Sequence, residues 1–246
     1  MEGILWEADV KDPVEFTKIF NTIKNFIEEA TFDFSKEGIH TRVMDRSLVS
    51  VIDMEMKKTA FDNIKSKEPT TLTFSLDKLF NILKTIKKGK TLKLEATEMS
   101  LKTIIDGKRE FETSALVNPE EKAPDISKLE SNATVEMTSG ILSEGLTDAS
   151  IVADSIVFRT KGKEFTMEAM NEKREATRTT LSAKDAVIGG SEESSRYPND
   201  YLTKAQILFN MFETVKIGFK SDSPIKFTMD NSNLKAEFVI APRLSD

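Results

Sequence analysis

Apolar and polar residues alternate along much of the chain with a period of two, interrupted at intervals by runs with helical spacing. "ILWEADV" (4–10), "TFDFSK" (31–36), "GIHTRVM" (38–44) and "VSVIDMEM" (49–56) alternate as side chains do on the two faces of a strand. Between the first two, residues 13–29 place Phe16, Ile19, Phe20, Ile23, Phe26 and Ile27 on one stripe of a helix. Asp12 before Pro13 supplies an N-cap followed by a proline suited to the first helical position. The predicted unit is strand, helix, three strands.

The unit recurs. "TTLTFS" (70–75) reads as a strand, and 76–87 as a helix with Leu76, Leu79, Phe80 and Leu83 on one face. Strands at 91–97, 100–106 and 110–116 follow, the last two joined by a hairpin turn near Asp106–Gly107. "VNPEEKAPDISKLESNA" (117–133), with two prolines and mixed charge, breaks the pattern and reads as a connector. After it, "TVEMTS" leads into a helix at about 139–150, and strands follow at "SIVFRT", "EFTMEAM" and "EATRTTLS". "GGSEESS" reads as a loop before a short strand near "SRYP". A helix at about 200–212 and strands "VKIGFKS", "PIKFTMD" and "LKAEFVIAP" close the chain. The expectation is an α+β protein of two similar domains, 1–117 and 133–246, joined by a connector at 118–132. Each domain holds two βαβββ units, with antiparallel sheets wet on one face and helices on the other.

The alternation has lapses. Ile39, Thr41 and Val43 share one face of their strand, and Ile52, Met54 and Met56 one face of the next. Met44 and Val51 therefore fall on the faces that carry His40, Arg42, Asp53 and Glu55. In "LKAEFVIAP" Val239 falls with Lys235 and Glu237, and Ala241, Pro242 and Leu244 follow. Scattered apolar surface residues are ordinary, whereas a contiguous patch marks a site, and spacing alone leaves contiguity open. Asp45 opens "DRS", which is good turn chemistry. The competing reading makes Asp45 and His40, the single histidine, the acid and base of a two-domain hydrolase.

Composition narrows the choice. Of 246 residues, 39% are hydrophobic, enough for a sizeable core, and the net charge of −6 has the wrong sign for a surface that clings everywhere to nucleic acid. A DNA-binding role needs a local basic region. On the helix faces opposite the apolar stripes stand Lys18, Asn21, Thr22 and Asn25 with Lys24 beside them, and Lys78, Asn81, Lys84 and Lys88 with Lys87 beside them. The corresponding helices of the second half offer Ser143, Glu144 and Thr147, and then Lys204 with Ile207 and Met211. The chain has no cysteine, which removes disulfides, thiol catalysis and Cys-based zinc sites. No HxxE or HxxxH spacing suggests a metal, and neither "DGKRE" nor "IGGSEESS" has the glycines of a phosphate loop. The ten methionines read as core filler. No cofactor or metal is expected. The N-terminus does not read as a signal peptide, and no apolar run reaches the roughly 18–20 residues of a membrane span. A soluble, intracellular protein without membrane contact is expected.

"EEATFDFSKEGIHTRVMDRSLVSVID" (28–53), "EGLTDASIVADSIVF" with "EFTMEA" (144–169), and the ending "LKAEFVIAPRLSD" (234–246) resemble the PCNA-type DNA sliding clamps, archaeal ones in particular. The resemblance spans the chain. It implies a non-enzymatic processivity factor: a ring of three subunits whose helices line a hole for double-stranded DNA and whose sheets form the outer wall. The implied DNA-facing residues are Lys18, Lys24, Lys78, Lys84, Lys87, Lys88 and Lys204, contacting phosphates without reading bases. The implied subunit interface joins "REFETSALV" of one copy, with Arg109, Glu110, Phe111, Glu112 and Leu116, to "EATRTTLS" of the next, with Glu175, Thr177, Arg178 and Thr180. Phe80, Leu116 and Ile156 are the apolar candidates beside those edges. The implied partner groove comprises Met44, Leu48, Val51, Ile126, Leu129, Pro224, Val239, Ala241 and Pro242. Leu48 is a departure, since many relatives carry a polar residue there. The resemblance further implies a clamp loader, DNA polymerase, flap endonuclease and DNA ligase as partners through short peptide motifs, and a location with the DNA. That location is cytoplasm or nucleoid if the source is archaeal and nucleus if eukaryotic. A homotrimer, or one subunit of a heterotrimeric or checkpoint-type clamp, both remain open.

Overall fold

The computed structural model describes residues 3–119 and 123–243; residues 120–122 of the expected connector and Leu244 lie outside the described residues. The first half runs β1 (Trp6–Val10), α1 (Pro13–Lys24), β2 (Glu29–Ser35), β3 (Gly38–Met44), β4 (Ser50–Lys57), β5 (Phe61–Ser66), β6 (Thr70–Ser75), α2 (Leu76–Leu83), β7 (Leu92–Ala96), β8 (Ser100–Ile105) and β9 (Arg109–Ser114). The second half runs β10 (Ala133–Thr138), α3 (Ser139–Val152), β11 (Ser155–Lys161), β12 (Glu164–Met170), β13 (Ala176–Leu181), β14 (Val187–Gly190), β15 (Glu193–Pro198), α4 (Asn199–Phe209), β16 (Thr214–Phe219), β17 (Ile225–Asp230) and β18 (Leu234–Ile240).

The halves share one pairing scheme. β1 lies antiparallel between β5 and β7, as β10 lies between β14 and β16. β2 pairs with β6 and β3, as β11 pairs with β15 and β12. The internal repeat is thus present in the hydrogen bonding as well as in the sequence. The chain packs as two compact units. One takes residues up to Arg46, Ile52–Pro124 and Asp230–Ala236; the other takes Ser47–Val51, Asp125–Met229 and the chain from Glu237 onward.

In the first unit, the strand orders are β5-β1-β7-β8-β9 and β4-β3-β2-β6. Trp6 is fully buried, with its indole N–H donating to the Ser35 carbonyl at 2.7 Å and its ring packed against Phe34 and Phe61. Phe16 and Phe20 of α1 extend this cluster to Phe32 of β2, so the helical stripe and the inward strand face meet as the periodicity requires. The Asp12 carboxylate accepts from the Val14 and Glu15 amides, the expected N-cap. In the second unit the orders are β13-β12-β11-β15 and β14-β10-β16-β17-β18. Its core gathers Phe158, Phe165, Phe209, Phe219, Phe227 and Phe238, with Tyr197 donating its hydroxyl to the Ser223 carbonyl. Gly38 is obligatory at the start of β3: its φ is +128°, and a Cβ there would lie 2.0 Å from the Met56 carbonyl oxygen.

Several sequence expectations need correction. α1 ends at Lys24 rather than 29, because the Phe26 and Ile27 amides both turn back to the Ile23 carbonyl and Glu29 already pairs with Ser75. α2 ends at Leu83 rather than 87, and Lys84–Lys90 form successive turns. Two strands, β5 and β14, were absent from the expected unit. In β5 only Phe61 is buried, Asn63 has a φ of +54°, and the register against β1 slips between Glu7 and Asp9. A bulge of this kind destroys the period of two on which strand recognition depends. β14, "VIGG", overlaps the start of the stretch read as loop, and β15 begins inside that stretch at Glu193.

Candidate functional site

The hairpin of β3 and β4 carries the first candidate. Asp33 on β2 stands opposite His40 on β3, and the outward side chains of the three strands meet. His40 Nε2 lies 2.8 Å from Asp53 Oδ1, its Nδ1 lies 3.6 Å from Asp33, and the Arg42 Nε donates to Asp53 Oδ2 at 2.5 Å. Hydrogen bonding to Asp33 and Asp53 outweighs partial burial and raises the His40 pKa to about 9. Burial pushes the Asp53 carboxyl up, but hydrogen bonds from His40 and Arg42 more than offset it, so its pKa lies below the ordinary value. His40 is therefore an imidazolium held in an outward charge ladder, whereas a general base needs a free imidazole near neutrality. Asp45, the acid of the hydrolase reading, is only 6% exposed. A folded-state pKa above the unfolded value of 6.5 stabilises the fold fully below pH 6.5, and the contribution is lost as pH rises toward 9. Urea denaturation from pH 6.5 to 9 should show stability falling in the native chain and changing less in His40→Gln. An equal fall in both would refute the ladder.

The expected groove falls largely within the second unit. Alternation put Val51 and Val239 on a wet face, yet each is only 7% exposed. The chain after residue 124 accounts for this. The Lys226 ammonium reaches the Ile126 carbonyl at 3.5 Å, Ile126 is itself buried, and the Ala241 amide donates to the Val49 carbonyl at 2.8 Å. The connector thus lies over an outward face at Lys226, and the terminal segment continues the ladder beside Val49. Val51, Ile126 and Val239 are buried, while Leu129, Pro224, Ala241 and Pro242 are half-buried. Leu48 differs from all of them. It is 69% exposed and has a φ of +59°, the left-handed region that costs a branched side chain about 1–2 kcal/mol. Met44 ends β3 in the first unit, where it is half-buried.

Lys18, Lys78, Lys84, Lys87 and Lys88 are all exposed on α1, on α2 or in the turns after it. Lys24 is engaged: it pairs with Asp77 at 2.9 Å and lies 5.6 Å from the centre of the Phe80 ring. Thr22, expected on the outer side of α1, is fully buried and bonds the Lys18 carbonyl. On the second unit's helices neutral contacts replace lysines. Ser143 donates to Asn210, and Gln206 reaches Ser143 and Thr147, leaving Lys204 above the Tyr201 ring.

β9 and β13 each end a sheet, and each is paired on one side only among the described residues. Register puts Glu110 and Glu112 on the outward side of β9, opposite Ile104 and Lys102, while Phe111 and Arg109 lie on the helix side. The outward side of β13 carries Arg178, paired with Glu168 at 2.9 Å, and Thr180, with Thr177 on the other side. Glu175 precedes β13 and closes a turn with Asn171. Of the apolar candidates, Ile156 is in the core, and the Leu116 amide is tied to Thr73 of β6. The sequence reading missed five strongly exposed apolar side chains: Met99, Val117, Ile151, Met170 and Val187, 62–93% exposed. They lie in turns or at element ends, where no period flags them. Met99 accepts from the Ala115 amide just beyond β9, and Val117 follows. The β11–β12 register brings Met170 to the start of β11, which α3 enters just after Ile151.

The proliferating cell nuclear antigen N-terminal domain family matches residues 5–116. DNA polymerase sliding clamp 1 of Thermococcus kodakarensis is 32% identical over 239 residues, covering 94% of this chain and 96% of the relative. The sliding clamp of Pyrococcus furiosus is 32% identical over 241 residues, with the same coverage. Among solved structures, the proliferating cellular nuclear antigen of Entamoeba histolytica superposes with a TM-score of 0.87, covering 98% of this chain and all of that one at 23% identity. The PCNA2–PCNA3 complex of Sulfolobus tokodaii gives 0.86, covering 96% and 99% at 26% identity. Identity of 32% across 94% of the chain, with the family match in its first half, establishes the assignment: the chain belongs to the PCNA family of DNA polymerase sliding clamps, which are processivity factors and not enzymes.

Proposed function

We propose that three copies close into a ring around double-stranded DNA by adding β9 of one copy to β13 of the next. The observation that carries this reading is the match between the two unpaired edges. An exposed edge is a template for another strand. Antiparallel addition with outward faces continuous sets Glu110 and Glu112 beside Arg178, and brings Met99 and Val117 to the end that carries Ile151 and Met170. Exposed ion pairs give only about 0–1 kcal/mol each, so these apolar ends supply most of the affinity and the charges set the register.

Lys18, Lys78, Lys84, Lys87, Lys88 and Lys204 face the DNA, with Lys24 contributing less because Asp77 already neutralises it. Replacing Lys18, Lys78 and Lys84 together by Gln should leave the assembly intact. It should also flatten the dependence of DNA affinity on salt, by roughly 0.9 in the log–log slope for each phosphate contact removed. An unchanged slope would remove these lysines from the DNA path. The groove of Leu48, Val51, Ile126, Leu129, Pro224, Val239, Ala241 and Pro242 receives short helical motifs of polymerase, flap endonuclease and ligase, and a clamp loader opens the ring. The protein works wherever the cell keeps its DNA. In the functional test, this protein and a clamp loader lengthen polymerase products on primed circular DNA; products of unchanged length would refute a processivity role.

A second reading is a ring of unlike subunits. It is favoured by the paucity of lysine on α3 and α4, and the relative from Sulfolobus tokodaii is described as a complex of two different clamp chains. Light scattering separates the two: a homotrimer has three times the 27.6 kDa of the chain, and a strict monomer assigns it to a mixed ring.

A further inference from the structure

Among the described residues, β5, β6, β9, β13, β14 and β15 each end a sheet. Closure through β9 and β13 leaves four other edges, and an unprotected edge accepts any strand of suitable length. Three of them are blunted locally. β5 is bulged against β1 and exposes Asp62, Asn63 and Lys65. β14 has only four residues, two of them glycine. On β6 the Thr73 carbonyl accepts from the Leu116 amide at 2.8 Å, and the Thr73 hydroxyl donates to Asn118 at 2.8 Å. β15 differs: it has six residues, as β9 and β13 have, and its register against β11 is unbroken. Its backbone is instead engaged from elsewhere in the second unit. The Ser194 amide donates to the Ser221 hydroxyl at 3.1 Å, and the Arg196 carbonyl accepts from the Arg243 amide at 2.7 Å. The Arg243 guanidinium also pairs with Asp154 at 2.7 Å. Two residues earlier the Ala241 amide is held by the Val49 carbonyl, and Pro242 between them has no amide to offer.

We propose that the terminal segment at Ala241–Arg243 guards the β15 edge, keeping β9 of a second copy from adding there and leaving β13 as the open edge of its sheet. The inference rests on the reading of ring closure as strand addition. β9 matches β15 in length as well as it matches β13, so length alone does not choose between the two ends of the β13-β12-β11-β15 sheet. The guard decides by competition. It is part of the same chain, so it acts at an effective concentration of millimolar order, above that of any second chain in dilute solution. An incoming strand has to displace the Arg243 amide from the Arg196 carbonyl before it can pair. The consequence is closure. A copy that offers one β9 and one β13 can only extend head to tail, which closes into a ring, whereas a copy with β15 also open can branch. The latch itself is slight, one backbone hydrogen bond and one exposed ion pair, so it can be removed without touching the core.

The test is light scattering of the full-length protein over a range of concentrations. Arg243→Pro removes the amide and the guanidinium together, and its mass should exceed three times 27.6 kDa and rise with concentration. Asp154→Ala with Arg243→Ala keeps the amide and should shift the mass the same way by less; this pair carries the test if the proline variant does not fold. The third arm places Arg243→Pro in a chain that also carries Ile151→Asp and Met170→Asp, substitutions that oppose closure at β13. That chain should self-associate while its parent with Arg243 intact stays at 27.6 kDa, because the newly opened edge is β15. Masses equal to those of the parent chains overturn the proposal, and so does excess mass that disappears in the Ile151→Asp, Met170→Asp background. Failure of ring closure would show in the unsubstituted chain, so it is distinguishable from failure of the guard.

Discussion

Replacing Ile151 and Met170 together by Asp converts the assembled protein into a species of 27.6 kDa that no longer supports long polymerase products. Both side chains are largely exposed in the isolated chain, 79% and 63%, so neither substitution removes core packing and the variant stays folded. Burying a large apolar side chain contributes about 1.5–3 kcal/mol, so losing two at each joint weakens it by about 3–6 kcal/mol, roughly a hundredfold to more than ten-thousandfold. Charge reversal at Arg178 has a smaller effect, because an exposed pair is worth about 0–1 kcal/mol. Glu110→Arg or Glu112→Arg in the same chain restores what Arg178→Glu loses, if those charges set the register. Light scattering and thermal unfolding check both halves of the expectation. A double variant that stays fully assembled would contradict β9–β13 closure, and one that unfolds would contradict the placement of Ile151 and Met170 on the surface.

The second large effect concerns Leu48. A leucine that is both exposed and left-handed pays twice, in unburied apolar area and in backbone conformation. Asparagine tolerates the left-handed region far better than a branched residue. Leu48→Asn should therefore unfold at the same or a higher denaturant concentration than the native chain, with a gain of up to about 1 kcal/mol. The same variant should bind a peptide carrying one aliphatic and two aromatic anchors on a helical turn about 10–100-fold more weakly, the loss of about 1.5–3 kcal/mol of burial. Calorimetric titration and urea denaturation measure the two quantities separately. Val51→Glu or Val239→Glu is a poorer probe, since both side chains are buried in the free protein and a charge there acts on folding first. Undiminished peptide affinity in Leu48→Asn would remove this residue from the groove.

The repeated unit was legible because inward strand positions and helix stripes are set by local periods that survive without tertiary context. Phe16, Ile19, Phe20 and Ile23 fall on the buried side of α1 as their spacing requires, and Asp106–Gly107 forms its turn with both residues at positive φ. β5 and β14 were not legible, the first because a bulge breaks its alternation and the second because Gly189 and Gly190 read as a loop. The outward apolar residues were only half legible. Alternation flagged Val51 and Val239 as lapses, but it cannot show that a segment such as the one at Ile126, distant in sequence, folds over an outward face. For that reason their near-complete burial had to come from the structure. Ile151 and Met170 were invisible for the opposite reason: at the ends of a helix and a strand no neighbouring period defines which face they should take. Lys24 shows the same limit in charge, since its pairing with Asp77 of another helix cannot be read from either helix alone.

The measurement that bears most directly on the account is topological. The protein is loaded with a clamp loader and ATP onto nicked circular DNA, separated from free protein in salt high enough to suppress phosphate contacts, and then exposed to a nuclease that cuts the circle once. A ring that encircles DNA without gripping it stays on the closed circle and leaves when the circle is opened, and the Ile151→Asp, Met170→Asp variant is not retained at all. Retention that is equal on circular and linear DNA, or that disappears with salt on the intact circle, would contradict encirclement.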